Sequence, residues 1–390
     1  MKKYSLFCIA LMAIFYIVEI GMLGYAVYFL SENGVKALEI GILLGVSGIV
    51  AAIIQPLFGH IADKYDNIDF KNLLTWMGAF VVVLFIGLYC FHNNKMAIMI
   101  FFGLLYLLTN TMTPFVNESS FYYSNKGINV NFGIARGFGS LAYAIVSYII
   151  GIYTKVFGAR LLSFNGIISS IIFLVIIILM PRVGNQDNKV AENIINTKTT
   201  FNNNSNIIKK YPSFFMMVLA TILAMSFQNS ECGYLIDIIK ELGGDSTHLG
   251  IAISLAAVVE IPTMFLITRI MKIINVKKLI AISCAVYIIR SFLFRIPNMT
   301  AIYISQLLQM FSFAIITPAT VYLADEMMHE EDKNLGQTLI GMAVTIGLIL
   351  GSYIGGQLIS IGGINLLEIC CIFIAIFSFI FAFIGNVIKP

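Results

Sequence analysis

Apolar segments of roughly 20 residues recur along nearly the whole chain, and no other feature limits its fold so strictly. As a helix, a run of that length crosses the ~30 Å hydrocarbon core of a bilayer. Within lipid each backbone N–H and C=O must be satisfied by the segment itself or by a closed barrel, and runs this long suit helices. Twelve can be drawn, at residues 5–30, 38–60, 73–91, 96–117, 133–153, 161–180, 214–236, 248–271, 279–294, 299–324, 335–360 and 364–386. Charge supports this reading: only 11% of residues are charged, whereas a soluble domain carries about 25%. The first run continues past Glu19 to Leu30 without a small-residue cleavage site, so it reads as a spanning helix rather than a leader. The expected fold is an all-α polytopic membrane protein with twelve transmembrane helices.

The long polar stretch from Pro181 to Pro212, with its Asn202-Asn203-Asn204 run, separates six spans from six. It divides the chain into a bundle at 1–180, a flexible linker at 181–212 and a second bundle at 213–390. Two short matches relate the halves. Thr113-Pro114 recurs as Thr317-Pro318, 204 residues on, and Ser147-Tyr148-Ile149 recurs as Ser352-Tyr353-Ile354, 205 residues on. Nearly equal offsets of about half the chain favour a parallel duplication, giving two pseudo-repeated six-helix bundles with a solute site expected near the midplane between them. With the N-terminus inside, sixteen of the 24 Lys and Arg fall on the cytoplasmic side, six on the outer side and two within spans. Both termini and the linker are therefore expected in the cytoplasm of a multi-pass cell-membrane protein.

The charges inside the spans carry most of the functional information. Burying an ionised group in hydrocarbon costs at least ~2.5–3.5 kcal/mol on insertion scales, so such groups face a polar cavity or one another. Glu19, Glu118 and Arg136 in the first half, and Glu231, Glu260 and Arg290 in the second, belong to this class. A polar cavity in a many-span chain points to transport. Glu19 reads as a cation or substrate ligand. Burial and a nearby arginine act in opposite senses on a carboxyl's proton, so Glu260 with Arg290 is the leading coupling pair and Glu231 the second. The six cysteines lie in apolar segments as small hydrophobes, and the four histidines lie at span ends or in loops. No metal-ligand spacing, nucleophile constellation or phosphate-cradling loop with lysine is present, so the chain reads as neither an enzyme nor a nucleotide-driven pump, with no cofactor and no nucleic-acid partner. After span 10 an acidic loop (Asp325, Glu326, Glu330, Glu331, Asp332) is expected on the cytoplasmic side, solvated or paired with Lys277, Lys278 or linker lysines. The glycines of span 11, among them Gly347, Gly351 and Gly355, read as a close-packing face.

Between spans 2 and 3 runs Gly59-His60-Ile61-Ala62-Asp63-Lys64. Here Gly59 permits close helix approach, Asp63 accepts hydrogen bonds and Lys64 adds cytoplasmic charge. This loop resembles the G-x-x-x-D-[RK] signature of the major facilitator superfamily, although Asp66-Asn67-Ile68-Asp69 stands where that signature has basic residues. The resemblance implies the major facilitator fold, and a monomer. Within the superfamily, Phe132-Gly133, Ala135-Arg136 and Phe138-Gly139 resemble the F-G-x-A-R-x-F-G pattern of the lactose permease, or oligosaccharide:proton symporter, family. That resemblance implies that Glu118 and Arg136 bind substrate hydroxyls and that Tyr143, seven residues after the arginine, is an aromatic platform. It also places Arg290 at the family's proton site. The family's histidine–glutamate pair on span 10 is replaced here by Gln309 and Ser312, so its coupling chemistry does not carry over unchanged. The function expected is proton-driven secondary transport of a small polar solute, with a sugar or oligosaccharide leading. A nucleoside symporter or an exporter of amphipathic compounds is the alternative.

Overall fold

The structure, a computed structural model, describes residues 2–64, 70–124, 128, 130–181 and 207–388. Most of the expected linker, residues 182–206, lies outside them. Every regular element among the described residues is helical, as lipid requires. Ten of these helices are long and apolar enough to cross a membrane. Two further observations relate these to the twelve expected spans. The helix Val276–Arg295 is 20 residues long but carries Lys277, Lys278, Arg290 and Arg295, which lower its apolar character. The last helix, Lys333–Val387, has 55 residues. Straight, it would be about 80 Å long at 1.5 Å per residue, far beyond the bilayer core. It turns instead at Gly362 and Gly363, and Gly363 has φ 67°, a left-handed conformation suited to glycine. The sequence breaks spans 11 and 12 at the same place.

The chain forms two compact units: Met1–Asn33 with Ser47–Phe201, and Gly34–Val46 with Asn202–Pro390. Unit 1 contains α1 (Lys2–Ile20), α2 (Ala26–Glu32), α4 (Phe70–Cys90), α5 (Lys95–Ser124), α6 (Phe132–Phe157) and α7 (Arg160–Ile178), with most of α3 (Ala37–Lys64). Unit 2 contains α8 (Ile207–Lys210), α9 (Pro212–Gly233), α10 (Leu235–Glu241), α11 (Ser246–Ile270), α12 (Val276–Arg295), α13 (Met299–Leu307), α14 (Phe313–Met327) and α15 (Lys333–Val387). A 3-10 turn, Leu308–Phe311, joins α13 to α14.

Three expected spans are interrupted. Span 1 breaks across residues 21–25, between α1 and α2. Span 7 breaks at Tyr234, between α9 and α10. A glycine marks each break, Gly21 opening the first and Gly233 preceding the second, and each is pinned in the same way. The Tyr25 hydroxyl donates to the Ser147 carbonyl at 2.7 Å, and the Tyr234 hydroxyl donates to the Ser352 carbonyl at 2.9 Å. Ser147 and Ser352 head the two repeated sequence segments, so both units use one device at matching positions. Span 10 breaks at the 3-10 turn, where Ser312 has φ −110° and ψ −90°.

Inside unit 2, α9 and α15 make a tight contact through small residues. A Cβ at Gly347 or Gly351 would meet the α9 backbone at Ile222 or Ser226 at 2.6 or 2.5 Å. Ser226 and Ser230 donate across this seam to the carbonyls of Gly347 and Gly351 at 3.1 and 3.0 Å. Close backbones and hydroxyl cross-links replace the hydrophobic drive that lipid cannot supply. In unit 1, Pro114 leaves the Asn110 carbonyl without its helical donor, and the Gln55 side chain fills that place at 2.8 Å.

Candidate functional site

In unit 1, α1 and α6 pack closely because Gly139 has no side chain. A Cβ there would stand 2.5 Å from the Tyr16 ring. Tyr16 rests on this gap, and the Arg136 guanidinium caps its ring at 4.2 Å from the centroid. Arg136 donates from Nη1 to the Ser140 hydroxyl, one helical turn on, at 2.7 Å. Among the described residues this is the one hydrogen bond it makes, and its other donors are uncommitted. Three residues after Tyr16, Glu19 is 3% exposed. One of its oxygens accepts from the Thr113 hydroxyl of α5 at 2.9 Å, and the positive charge of Arg136 acts on it. Tyr106 lies within electrostatic range of the same carboxyl. The resulting site presents a carboxyl, a guanidinium with spare donors, two hydroxyls and an aromatic ring.

The sequence-identified residues are distributed as follows. Glu19 and Arg136 share this site. Tyr143 lies half-buried on α6, two turns past Arg136, and within electrostatic range of Tyr25. Glu118 is exposed near the C-terminal end of α5. The backbone of Gly59, Asp63 and Lys64 closes α3, while the side chains of Asp63 and Lys64 lie outside the described part of the structure. Sequence reasoning missed Tyr16, Thr113 and Ser140. Two of them carried a signal, since Tyr16 is i−3 from Glu19 and Ser140 is i+4 from Arg136, spacings that share a helical face.

Unit 2 holds its arginine differently. Arg290 is 0% exposed, and each of its five N–H groups has a partner. Nη1 donates to Gln228 Oε1 at 2.9 Å and to the Ser312 hydroxyl at 3.0 Å. Nη2 donates to Gln309 Oε1 at 3.1 Å and to Cys232 Sγ at 3.4 Å, and Nε donates to Ser305 at 3.5 Å. Glu260 was expected to face this arginine, but Gln309 stands between them. Its Oε1 accepts from Arg290 while its Nε2 donates to Glu260 Oε1 at 2.6 Å. The broken span makes this bridge possible, because Gln309 sits in the 3-10 turn and Ser312 at its exit. The Thr263 hydroxyl of α11 donates to the Met310 carbonyl in the turn at 3.1 Å. Thus Gln309 and Ser312, the residues standing where the family resemblance places a histidine and a glutamate, are direct partners of the buried arginine. Glu231 lies in the last turn of α9, fully buried.

At one end of unit 2 the acidic loop is partly paired. Lys210 donates to Asp332 Oδ2 at 2.6 Å, and the Tyr211 hydroxyl reaches the same oxygen at 2.8 Å. These two donors hold the Asp332 carboxyl below the usual aspartate range. Among the described residues, no group of three or more His, Cys, Asp or Glu is arranged to hold a metal ion.

Residues 8–367 match the MFS_1 like family. No curated protein matches the sequence significantly. Among solved structures, a point mutant of the nucleoside transporter NupG is similar at a TM-score of 0.82 and 16% identity, covering 98% of this chain and 99% of that one. The POT family transporter PepTSo is similar at a TM-score of 0.69 and 13% identity, covering 99% and 97%. A bacterial homologue of the human lysosomal transporter Spinster, in an inward-facing and unoccupied conformation, gives 0.66 and 12%, covering 99% and 96%. At these identities the likeness establishes a shared fold.

Proposed function

This chain belongs to the MFS_1 like family of major facilitator membrane transporters, and from that premise we propose that it is a proton-coupled symporter of a small polyhydroxyl solute, a sugar or oligosaccharide first. It is a secondary transporter of small solutes rather than an enzyme. The observation that carries the substrate class is the unit 1 site. Among the described residues Arg136 keeps uncommitted donors in a planar fork, and its charge acts on the Glu19 carboxyl, a pairing that suits adjacent hydroxyls. Tyr16, buried beneath the guanidinium, holds that fork in place, and the aromatic platform for the apolar side of a sugar is assigned to Tyr143. Glu118 and Tyr143 extend the site as the resemblance implies.

Coupling is assigned to the unit 2 network. Arg290 and Glu260 share Gln309, so turning one amide re-pairs both charges without exposing either to lipid. Uptake is driven by the proton gradient, in a cell-membrane protein oriented by its lysines and arginines with both termini in the cytoplasm.

The overall likeness to NupG favours a nucleoside as the second reading, because a ribose presents adjacent hydroxyls and a base stacks on tyrosine. Thermal unfolding of the purified protein with lactose, other saccharides and uridine separates the two, since a ligand of the native state raises apparent stability. Stabilisation by a saccharide that disappears in Arg136→Lys supports the sugar reading. Stabilisation by uridine alone would replace it with the nucleoside reading, and stabilisation by neither would overturn the substrate class.

A further inference from the structure

Glu231 lies outside the substrate site and outside the Gln309 bridge. It is 0% exposed, and no N–H or O–H group donates to either of its carboxylate oxygens, the weak Cys371 thiol being the donor at hand. A buried carboxyl with no N–H or O–H donor costs far more charged than neutral, and apolar groups of the same volume would fill the space without that cost. The groups acting on it explain its presence. From α15 come Glu368 and the Cys371 thiol, from α12 comes Arg290, and on its own helix lies Cys232. Glu368 is 7% exposed and accepts from Arg295 Nη1 at 3.1 Å. Arg295 is also held by Asn365 at 2.9 Å, and its side chain is 40% exposed. Glu241 of α10 adds its negative charge to Glu368. Ionisable groups therefore run from an exposed guanidinium, through a covered carboxyl, to a fully buried one that senses Arg290.

These groups share one end of the unit. Arg295 closes α12 five residues after Arg290, about 7.5 Å of helix. Glu368 lies five residues past the α15 turn at Gly363. By the positive-inside orientation this end faces outward.

We propose that Glu368 and Glu231 form a two-carboxyl proton relay between the medium at the α15 turn and the Arg290–Gln309–Glu260 network. The inference rests on the proton-coupled reading given above. A proton from the medium forms an O–H bond on Glu368 as Arg295 lets that carboxylate go. That bond breaks as an O–H bond forms on Glu231, directly or through one water, and Glu368 returns ionised to Arg295. Each cycle begins with Glu231 protonated: it releases that proton inward to the Glu260 carboxylate, directly or through water, as Arg290 turns from Gln309 and Ser312 towards Glu231, and only the carboxylate so formed takes the next proton from Glu368. Each transfer moves one proton: while Glu368 is neutral, Arg295 keeps Asn365 at the exposed rim, and while Glu231 is ionised it faces Arg290.

The relay can be tested without knowing the solute. Infrared spectra of the purified full-length protein follow the carboxyl C=O bands as water is replaced by deuterium oxide. A band lost in Glu231→Gln identifies Glu231 as a protonated acid. In the wild type its deuterium shift is expected to be fast. In Glu368→Gln it is expected to slow at least tenfold, and Glu368→Asp is expected to restore most of the rate. Equal exchange rates in wild type and Glu368→Gln would overturn the relay, as would no change of band in Glu231→Gln. If Glu231→Gln does not fold, the Glu368 pair of variants decides alone, because that residue sits near the rim. Uptake of labelled lactose and uridine into proteoliposomes under an imposed proton gradient tests the parent reading separately. Fast exchange without gradient-driven uptake of either would sink the symport proposal, and gradient-driven uptake with exchange unaffected by Glu368→Gln would sink only the relay.

Discussion

Two arginines, one in each unit, show how the same side chain serves different ends. Arg290 is wholly buried, and all five of its N–H groups are engaged by Gln228, Ser312, Gln309, Cys232 and Ser305. Arg136 is half-buried, capped on one side by Tyr16, and among the described residues makes one hydrogen bond, to Ser140. A guanidinium with every donor spent holds neighbours in place and changes partners only when they move. One with donors to spare presents them to something else. Around these two residues the backbone devices agree closely, down to the tyrosine that pins each broken helix to a serine carbonyl. The units therefore keep a common frame and differ in how far their polar centres are closed.

Removing the buried arginine should break this contrast most. Arg290→Met leaves several buried acceptors unpaired, and we expect a loss on the order of 3 kcal/mol in unfolding free energy, read as a lower melting temperature in detergent. Arg136→Lys keeps the charge but loses the fork. It should leave melting nearly unchanged while the affinity for the stabilising solute falls roughly tenfold to a hundredfold, about 1.4–2.7 kcal/mol, in a binding titration. Equal losses of stability in the two variants would erase the distinction. Gly139→Ala sharpens it from another direction. The added methyl must displace Tyr16, so we expect about 1 kcal/mol of destabilisation together with weaker solute binding, measured on the same sample. Tyr25→Phe and Tyr234→Phe should each cost about 1 kcal/mol or less and match one another, and a clear inequality in melting would argue against a shared device. Smallest is the loop pair. The Asp332 carboxyl is held below its usual range by Lys210 and Tyr211, so it adds stability above the ordinary aspartate pKa. That stability is lost as pH falls through the lowered folded value. Melting curves of Asp332→Asn taken down this acid limb should lack this component of the wild-type slope.

The individual residues explain what could be read in advance. Span length and the turn at Gly362–Gly363 were legible because lipid demands about 20 apolar residues and helices need an exit. The pairing of Thr113-Pro114 with Thr317-Pro318, and of Ser147 with Ser352, was legible from spacing alone. Arg136, Glu19, Arg290, Glu260 and Glu231 stood out because charge in hydrocarbon is costly. Tyr16's place in the site was not legible beyond its i−3 spacing from Glu19, since only Gly139 on another helix opens a place for its ring. Nor was the insertion of Gln309 between Glu260 and Arg290, which depends on a 3-10 turn that no glycine or proline within Leu308–Phe311 announces.

The sequence by itself determined that this protein is a bundle of membrane helices with a duplicated plan and a few charges that must be hidden from lipid. Those are one-dimensional properties: run length, periodicity and the cost of each residue in hydrocarbon. Only the tertiary structure decided which charges meet. That outcome depends on helix breaks, glycine gaps and the reach of side chains from four or five helices. Packing closed the shell of Arg290, left Arg136 with donors to spare, and gave Glu231 a burial with no N–H or O–H donor for its oxygens.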